Sequence, residues 1–134
     1  MGASEVFDYR AEDLAEQLDA AGDPAVILDH RLDEYLQFDA DVAQPGARIV
    51  GIGNTQTQAG FENIAAARAK EISVFLMSMF NTPDLGAVLD RLAILVASGR
   101  IVPDVARTYD LDDAADAQRA VMEDSFFGKL IIEP

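Results

Sequence analysis

Apolar runs alternating with helix-patterned stretches place the strongest limit on what this chain can fold into. Ala25–Leu28, Arg48–Ile52 and Ile72–Phe80 are compact, β-leaning and rich in branched side chains, as buried strands are. Between and around them lie amphipathic stretches. Ala11–Ala21 carries Leu14 and Leu18 at i and i+4 and is stopped by Gly22 and Pro24. Leu32–Ala43 sets Leu32, Tyr35, Leu36 and Val42 on one side and is ended by Pro45 and Gly46. Phe61–Lys70 is rich in alanine, and Pro83 with Asp84 opens a strong helix to Ser98, stopped by Gly99. Asn54–Gly60 is polar and reads as a loop. Val6–Tyr9 is a further, brief strand candidate. Val102–Tyr109 reads as extended, Leu111–Glu123 as a helix with Asp112, Asp113 and Asp116 toward its N-terminal end, and Leu130–Glu133 as a closing strand. Strand and helix in alternation predict an α/β sheet with parallel strands and right-handed crossovers. With 134 residues and no repeat or linker, a single domain spanning 1–134 is expected.

Composition narrows the chemistry. The chain has no cysteine and one histidine, His30, which excludes disulfides, thiolate nucleophiles, cysteine-bound metals and a multi-histidine zinc site. A lone histidine is more often structural than catalytic, and no Ser-His-Asp arrangement can be assigned. Ten Lys and Arg face 24 Asp and Glu, for a net charge of −14. Such a chain repels nucleic acid and anionic membranes. Only Lys70 and Lys129 are lysines, and dense carboxylates with few lysines suit a protein kept hydrated in concentrated salt, so a halophilic source is expected. No apolar run reaches the roughly 20 residues of a membrane-spanning helix, and Met1–Arg10 has no secretory pattern. The default location is cytoplasmic. Asp39 with Asp41, and Asp110 with Asp112 and Asp113, lack the spacing of a calcium loop and read as solvated acidic faces.

Three segments, in order, resemble the zinc-type alcohol dehydrogenase and quinone oxidoreductase branches of the medium-chain dehydrogenase/reductase superfamily. Met1–Arg10 is similar to the family's run of leucine-glycine-alanine, acidic residue, valine, isoleucine, aspartate-tyrosine. Gly46–Gly53 is similar to the strand that ends in a glycine beside the nicotinamide. The tail, from Ser98–Ile101 through Leu111–Ala117 to Gly128–Ile132, is close to the family's closing signature of an alanine-rich helix before glycine-lysine and two apolar residues. The resemblance implies a three-layer, partial Rossmann-like parallel sheet. It would be the C-terminal portion of an NAD(P)-binding domain, lacking the first strands and the glycine-rich loop. No G-x-G-x-x-G occurs in the sequence, and Gly51-Ile52-Gly53 is followed by a polar loop. The glycines and helix start that hold a pyrophosphate are therefore missing. Either the sequence is a domain taken from a longer protein, or it is a short relative.

By the same resemblance, Tyr9 and Arg10 correspond to the position that contacts the 2′-phosphate of NADPH. An arginine beside a phenol can supply charge-assisted bonds to a phosphate. Gly53 and Asn54 end a central strand where open α/β sheets bind ligands, and the Asn54 amide could bond a ribose or carboxamide. Asp29, His30 and Arg31 end the preceding strand at the same edge of the sheet, though the family usually has a small residue and a glycine after this Asp. Met77–Phe80 could flank the nicotinamide, and Lys129, after Gly128, could reach a phosphate in the complete enzyme. NADP or NAD is the implied cofactor, weakly bound or unbound by this chain alone, with no zinc. The expected function is the cofactor-domain portion of an NAD(P)H-dependent oxidoreductase; a self-associating or partner-binding module on the same fold is the alternative. The Ile72–Phe80 strand is the implied subunit edge of a homo-oligomer, and a separate polypeptide could supply an N-terminal catalytic half.

Overall fold

The computed structural model describes residues 2–134 and divides into two compact units, Ala3–Pro83 and Asp84–Pro134. In the first unit the order is α1 (Leu14–Ala21), β1 (Val26–Asp29), α2 (Leu32–Val42), β2 (Arg48–Gly51), α3 (Ile64–Ala69) and β3 (Ser73–Leu76). The three strands are parallel in the order β1-β2-β3, with Ile27 beside Ile49 and Ile49 beside Val74. Each crossover runs through a helix, as parallel pairing demands.

Side chains alternate across the sheet, so Ile27 and Ile49 face the same way. They meet Leu32, Leu36 and Ala40 of α2 and Ala67 of α3 in the core of this unit, with Phe61 and Ile72 packed at its margin. Ile49 is fully buried. Burying an isoleucine of this kind contributes about 1.5–3 kcal/mol. The opposite face, with Val26, Leu28 and Phe75, is largely exposed.

Local chemistry fixes the helix ends. Asn63 accepts from the Ala66 amide at 3.1 Å and opens α3, satisfying one of the donors that a helix start leaves unpaired. Glu71, with φ of 54°, follows the α3 cap in the left-handed conformation that usually falls to glycine. The second unit holds α4 (Leu85–Ala97), β4 (Val105–Asp110), α5 (Ala114–Glu123) and β5 (Lys129–Glu133). Asp84 caps α4 by accepting from the Ala87 amide at 2.9 Å. Strands β4 and β5 pair in parallel, and α5 connects them, burying Ala117 and Ala120.

Several expectations change. Val6–Tyr9 is not a strand; it leaves the sheet and ends in a turn, so β1 is an edge. A strand needs a ladder partner for its backbone groups, and among the described residues this segment has none. The strand from Ile72 stops at Leu76, and Met79–Asn81 coil into a single 3₁₀ turn. Helix α1 begins at Leu14, after turns at Asp8–Ala11 and Ala11–Leu14, and α3 begins at Ile64. Among the described residues, no helix is long and apolar enough to cross a membrane.

Candidate functional site

The ends of β1, β2 and β3 are laced together by their backbones. The Ile52 amide donates to Asp29 O at 2.7 Å, the Leu32 amide to Gly53 O at 3.2 Å, and the Met77 amide to Gly51 O at 2.9 Å. Two glycines permit this. A Cβ on Gly53 would stand 2.5 Å from the carbonyl oxygen of His30, and one on Gly51 would stand 2.5 Å from Leu32 Cδ2. Gly53 is thus required by the chain's own backbone packing, whereas at Gly51 the Leu32 side chain would have to shift.

Beyond that lacing lies a cavity of about 380 Å³. Gly53 and Asn54 form one rim, and Met77–Phe80 form the other. The structure therefore brings together two of the segments singled out in the sequence. The Asn54 amide nitrogen donates to Gln56 O at 2.8 Å, which orders the loop from within. Asp33, in the first turn of α2, holds the same loop from outside. Its carboxylate accepts from the Thr55 amide at 2.8 Å, the Thr55 hydroxyl at 2.7 Å and the Gln56 amide at 3.0 Å. The Thr55 hydroxyl, followed by its amide, draws the Asp33 pKa below the usual carboxylate value.

A second cavity, of about 390 Å³, opens at the carboxyl end of β1. Tyr9 lines it together with Asp29, His30, Arg31, Tyr35 and Asp39. Arg10 stacks on the Tyr9 ring, 5.1 Å from its centroid, and donates from Nε to the Tyr9 hydroxyl at 3.0 Å. Arg31 is paired with Glu34 one turn into α2. Asp29 and Asp39 are 7% and 6% exposed, although acidic side chains are seldom buried without a cationic partner. Burial, and then the charge and hydrogen bond of Asp29, push the Asp39 pKa up to about 7.

The reading of Asp39 and Asp41 as one solvated face is corrected here. Asp41 is exposed, whereas Asp39 falls seven residues after Leu32 on the buried side of α2. Helical spacing carried that signal, since i and i+7 share a face; the acidic residue type obscured it. Lys129 lies in the second unit and lines neither cavity. Its amide donates to Asp104 O at 2.8 Å, and Gly128 before it, at φ of 102°, has no room for a Cβ against that carbonyl.

A sequence profile of the zinc-binding dehydrogenases matches residues 1–132, and the chain belongs to that family. It corresponds to part of the cofactor-binding domain of the medium-chain dehydrogenase/reductase superfamily. The structure of an NAD-dependent alcohol dehydrogenase matches 99% of the chain at 22% identity, with a TM-score of 0.81, over 38% of its own length. A quinone oxidoreductase of Pseudomonas syringae pv. Tomato DC3000 matches 99% of the chain at 26% identity, with a TM-score of 0.69, over 43% of its length. CurA of Vibrio vulnificus, solved in complex with NADPH, matches 98% at 22% identity, with a TM-score of 0.71, over 43% of its length. The chain thus spans less than half of each of these proteins. No curated protein matches its sequence significantly.

Proposed function

We propose that this chain supplies the nicotinamide side of an NAD(P)H site in a hydride-transferring oxidoreductase of alcohol dehydrogenase or quinone reductase type. The observation that carries the reading is the cavity beyond the ends of β2 and β3, framed by Gly53, Asn54 and Met77–Phe80. It lies where open α/β sheets take their ligands. The residues suit the nicotinamide end of the cofactor, with apolar side chains to pack a ring and backbone groups nearby to bond a carboxamide. They do not suit its diphosphate. Helix α2 begins with Asp33 and Glu34, which oppose an anion at a helix start, and the sequence has no glycine-rich loop.

When bound, the reduced nicotinamide supplies a hydride to a carbonyl, enone or quinone. In this reading Met77–Phe80 exclude water from one side of the ring, Gly53 allows close approach, and Asn54 orients the carboxamide. Tyr9 and Arg10 bind the 2′-phosphate of NADPH; zinc has no role in this chain. Catalysis requires a further portion carrying the phosphate loop and the substrate pocket, in the same or another polypeptide.

The second reading, self-association, draws on the exposed apolar edge after β3, where Leu76 and Phe80 are each 81% exposed. Edges of this kind invite pairing, and a homo-oligomer through Ile72–Phe80 fits both readings. A halophilic, cytoplasmic setting fits the charge of −14. Calorimetric titration with NADPH and NADH, in molar salt and in dilute buffer, tests the first reading. Saturable heat that disappears in Asn54→Ala supports it. A folded sample giving no heat at millimolar nucleotide removes cofactor binding from this chain and leaves association.

A further inference from the structure

The cavity at the end of β1, which Tyr9 also lines, holds two buried carboxyls to which the proposed nucleotide contacts give no role. Asp29 reaches it from the strand and Asp39 from α2, and each is more than nine-tenths buried. Asp29 Oδ1 accepts from the Arg31 amide at 2.7 Å, but Asp29 Oδ2 and Asp39 Oδ2 are buried without a donor among the described residues. Two ionised carboxylates at this largely buried site would repel each other more strongly than in open water. A carboxyl pair that shares one proton has a donor for the second carboxylate and carries a single charge.

The remaining charged and titratable groups leave that charge in place. His30 and Arg31 line the cavity from the loop after β1, and Tyr35 lines it from α2. The Arg31 guanidinium pairs with Glu34 through one terminal nitrogen, while its Nε, like the two carboxylate oxygens, is buried without a partner among the described residues. Tyr9, bonded to Arg10, closes the side toward the N-terminal segment, and α1 contributes only Leu14 to the lining. From beyond α3, the Lys70 ammonium binds the carbonyls of Ala40, Asp41 and Ala43, so it is engaged with the backbone of α2.

We propose that Asp29 and Asp39 form one proton-binding site that couples the packing of α2 on β1 to pH. With the proton in place, the two carboxyls hydrogen-bond and the helix stays seated on the strand. Loss of the proton sets two carboxylates against each other across the cavity floor and drives α2 away from β1. The upward displacement of Asp39, caused by burial first and by Asp29 second, puts this transition near neutral pH. The folded chain keeps a proton that an unfolded aspartate gives up near its ordinary pKa of about 3.9. Stability from the pair is therefore greatest in acid and falls as pH rises toward the folded value.

The test is thermal and urea unfolding of the whole chain from about pH 5 to about pH 8 in molar salt, which screens the surface charge. The wild type should show the unfolding constant rising roughly tenfold per pH unit below neutrality, equivalent to one proton released on unfolding. Asp39→Asn, which keeps the shape and carries its own donor, should lose that slope and be the more stable form at the alkaline end. A slope that persists unchanged in Asp39→Asn overturns the proposal. Carboxyl carbon NMR of the wild type gives an independent reading should the variant not fold. An Asp39 resonance titrating near neutrality supports the shared site. Titration of Asp39 in the usual carboxylate range rejects it.

Discussion

The ammonium group of Lys70 donates to the carbonyl oxygen of Ala43 at 2.9 Å, and the same group reaches Ala40 O at 3.1 Å and Asp41 O at 2.5 Å. One of the two lysines in the chain is therefore spent on the C-terminal turn of α2, where carbonyls have no partners within the helix. A positive charge there also opposes the negative end of the helix dipole. Replacing Lys70 with Met keeps the aliphatic stem and removes all three bonds. Urea unfolding of Lys70→Met should show a loss of about 2 kcal/mol, within the range for hydrogen bonds from a charged group. An unchanged midpoint would mean that water satisfies those carbonyls as well as the lysine does.

Asp33 fastens the loop after β2 to the start of α2 through Thr55 and Gln56. Its pKa is lowered, chiefly by the Thr55 hydroxyl, so the bonds are intact above the ordinary carboxylate value. They are lost as pH falls below it, through the lowered one. The Thr55 and Gln56 amide resonances should hold steady from neutral pH down to about pH 4 and shift together below that. In Asp33→Ala the same amides should exchange with solvent faster at every pH, while those of β1 and β2 keep their protection.

Gly53 and Gly128 are predicted to resist the smallest enlargement. In both, a Cβ would lie 2.5 Å from a backbone carbonyl oxygen, of His30 and Asp104 respectively. Gly128 adds a backbone φ of 102° that side chains rarely adopt. Gly53→Ala and Gly128→Ala should each lower stability by about 1–3 kcal/mol, as overpacking does, in urea unfolding. Gly60, with open space around its Cβ position, serves as the control, and Gly60→Ala should stay within about 0.5 kcal/mol of the wild type.

Salt should stabilise the chain. With a net charge of −14, self-repulsion is screened over about 3 Å in molar salt and over about 10 Å in a tenth of that. The melting temperature should fall as salt is removed, with sodium chloride and potassium chloride giving similar curves. Equal melting temperatures in dilute and molar salt would count against a halophilic adaptation.

Much of the first unit was legible from spacing. Ile27 and Ile49 sit in short apolar runs, and Leu32 and Leu36 stand one helical turn apart, so the pattern placed β1, α2 and β2 within a residue or two of where they lie. Gly53, Asn54 and Met77–Phe80 were also chosen from sequence, and they do meet at one cavity. Val6–Tyr9 shows the opposite case. It reads locally as a brief strand, but pairing depends on a neighbour, and no local pattern reveals whether one is present.

The sequence by itself determined the parallel α/β alternation, the family and the absence of a phosphate-binding glycine loop, because these depend on periodicity, order and residue type along the chain. Tertiary structure alone decided that Asp29 is the group the buried Asp39 meets, that Asp33 latches a loop more than twenty residues away, and that Lys70 caps α2. Those outcomes rest on which groups are brought within hydrogen-bond distance and shut off from water. A residue's charge and position in the chain do not fix either condition.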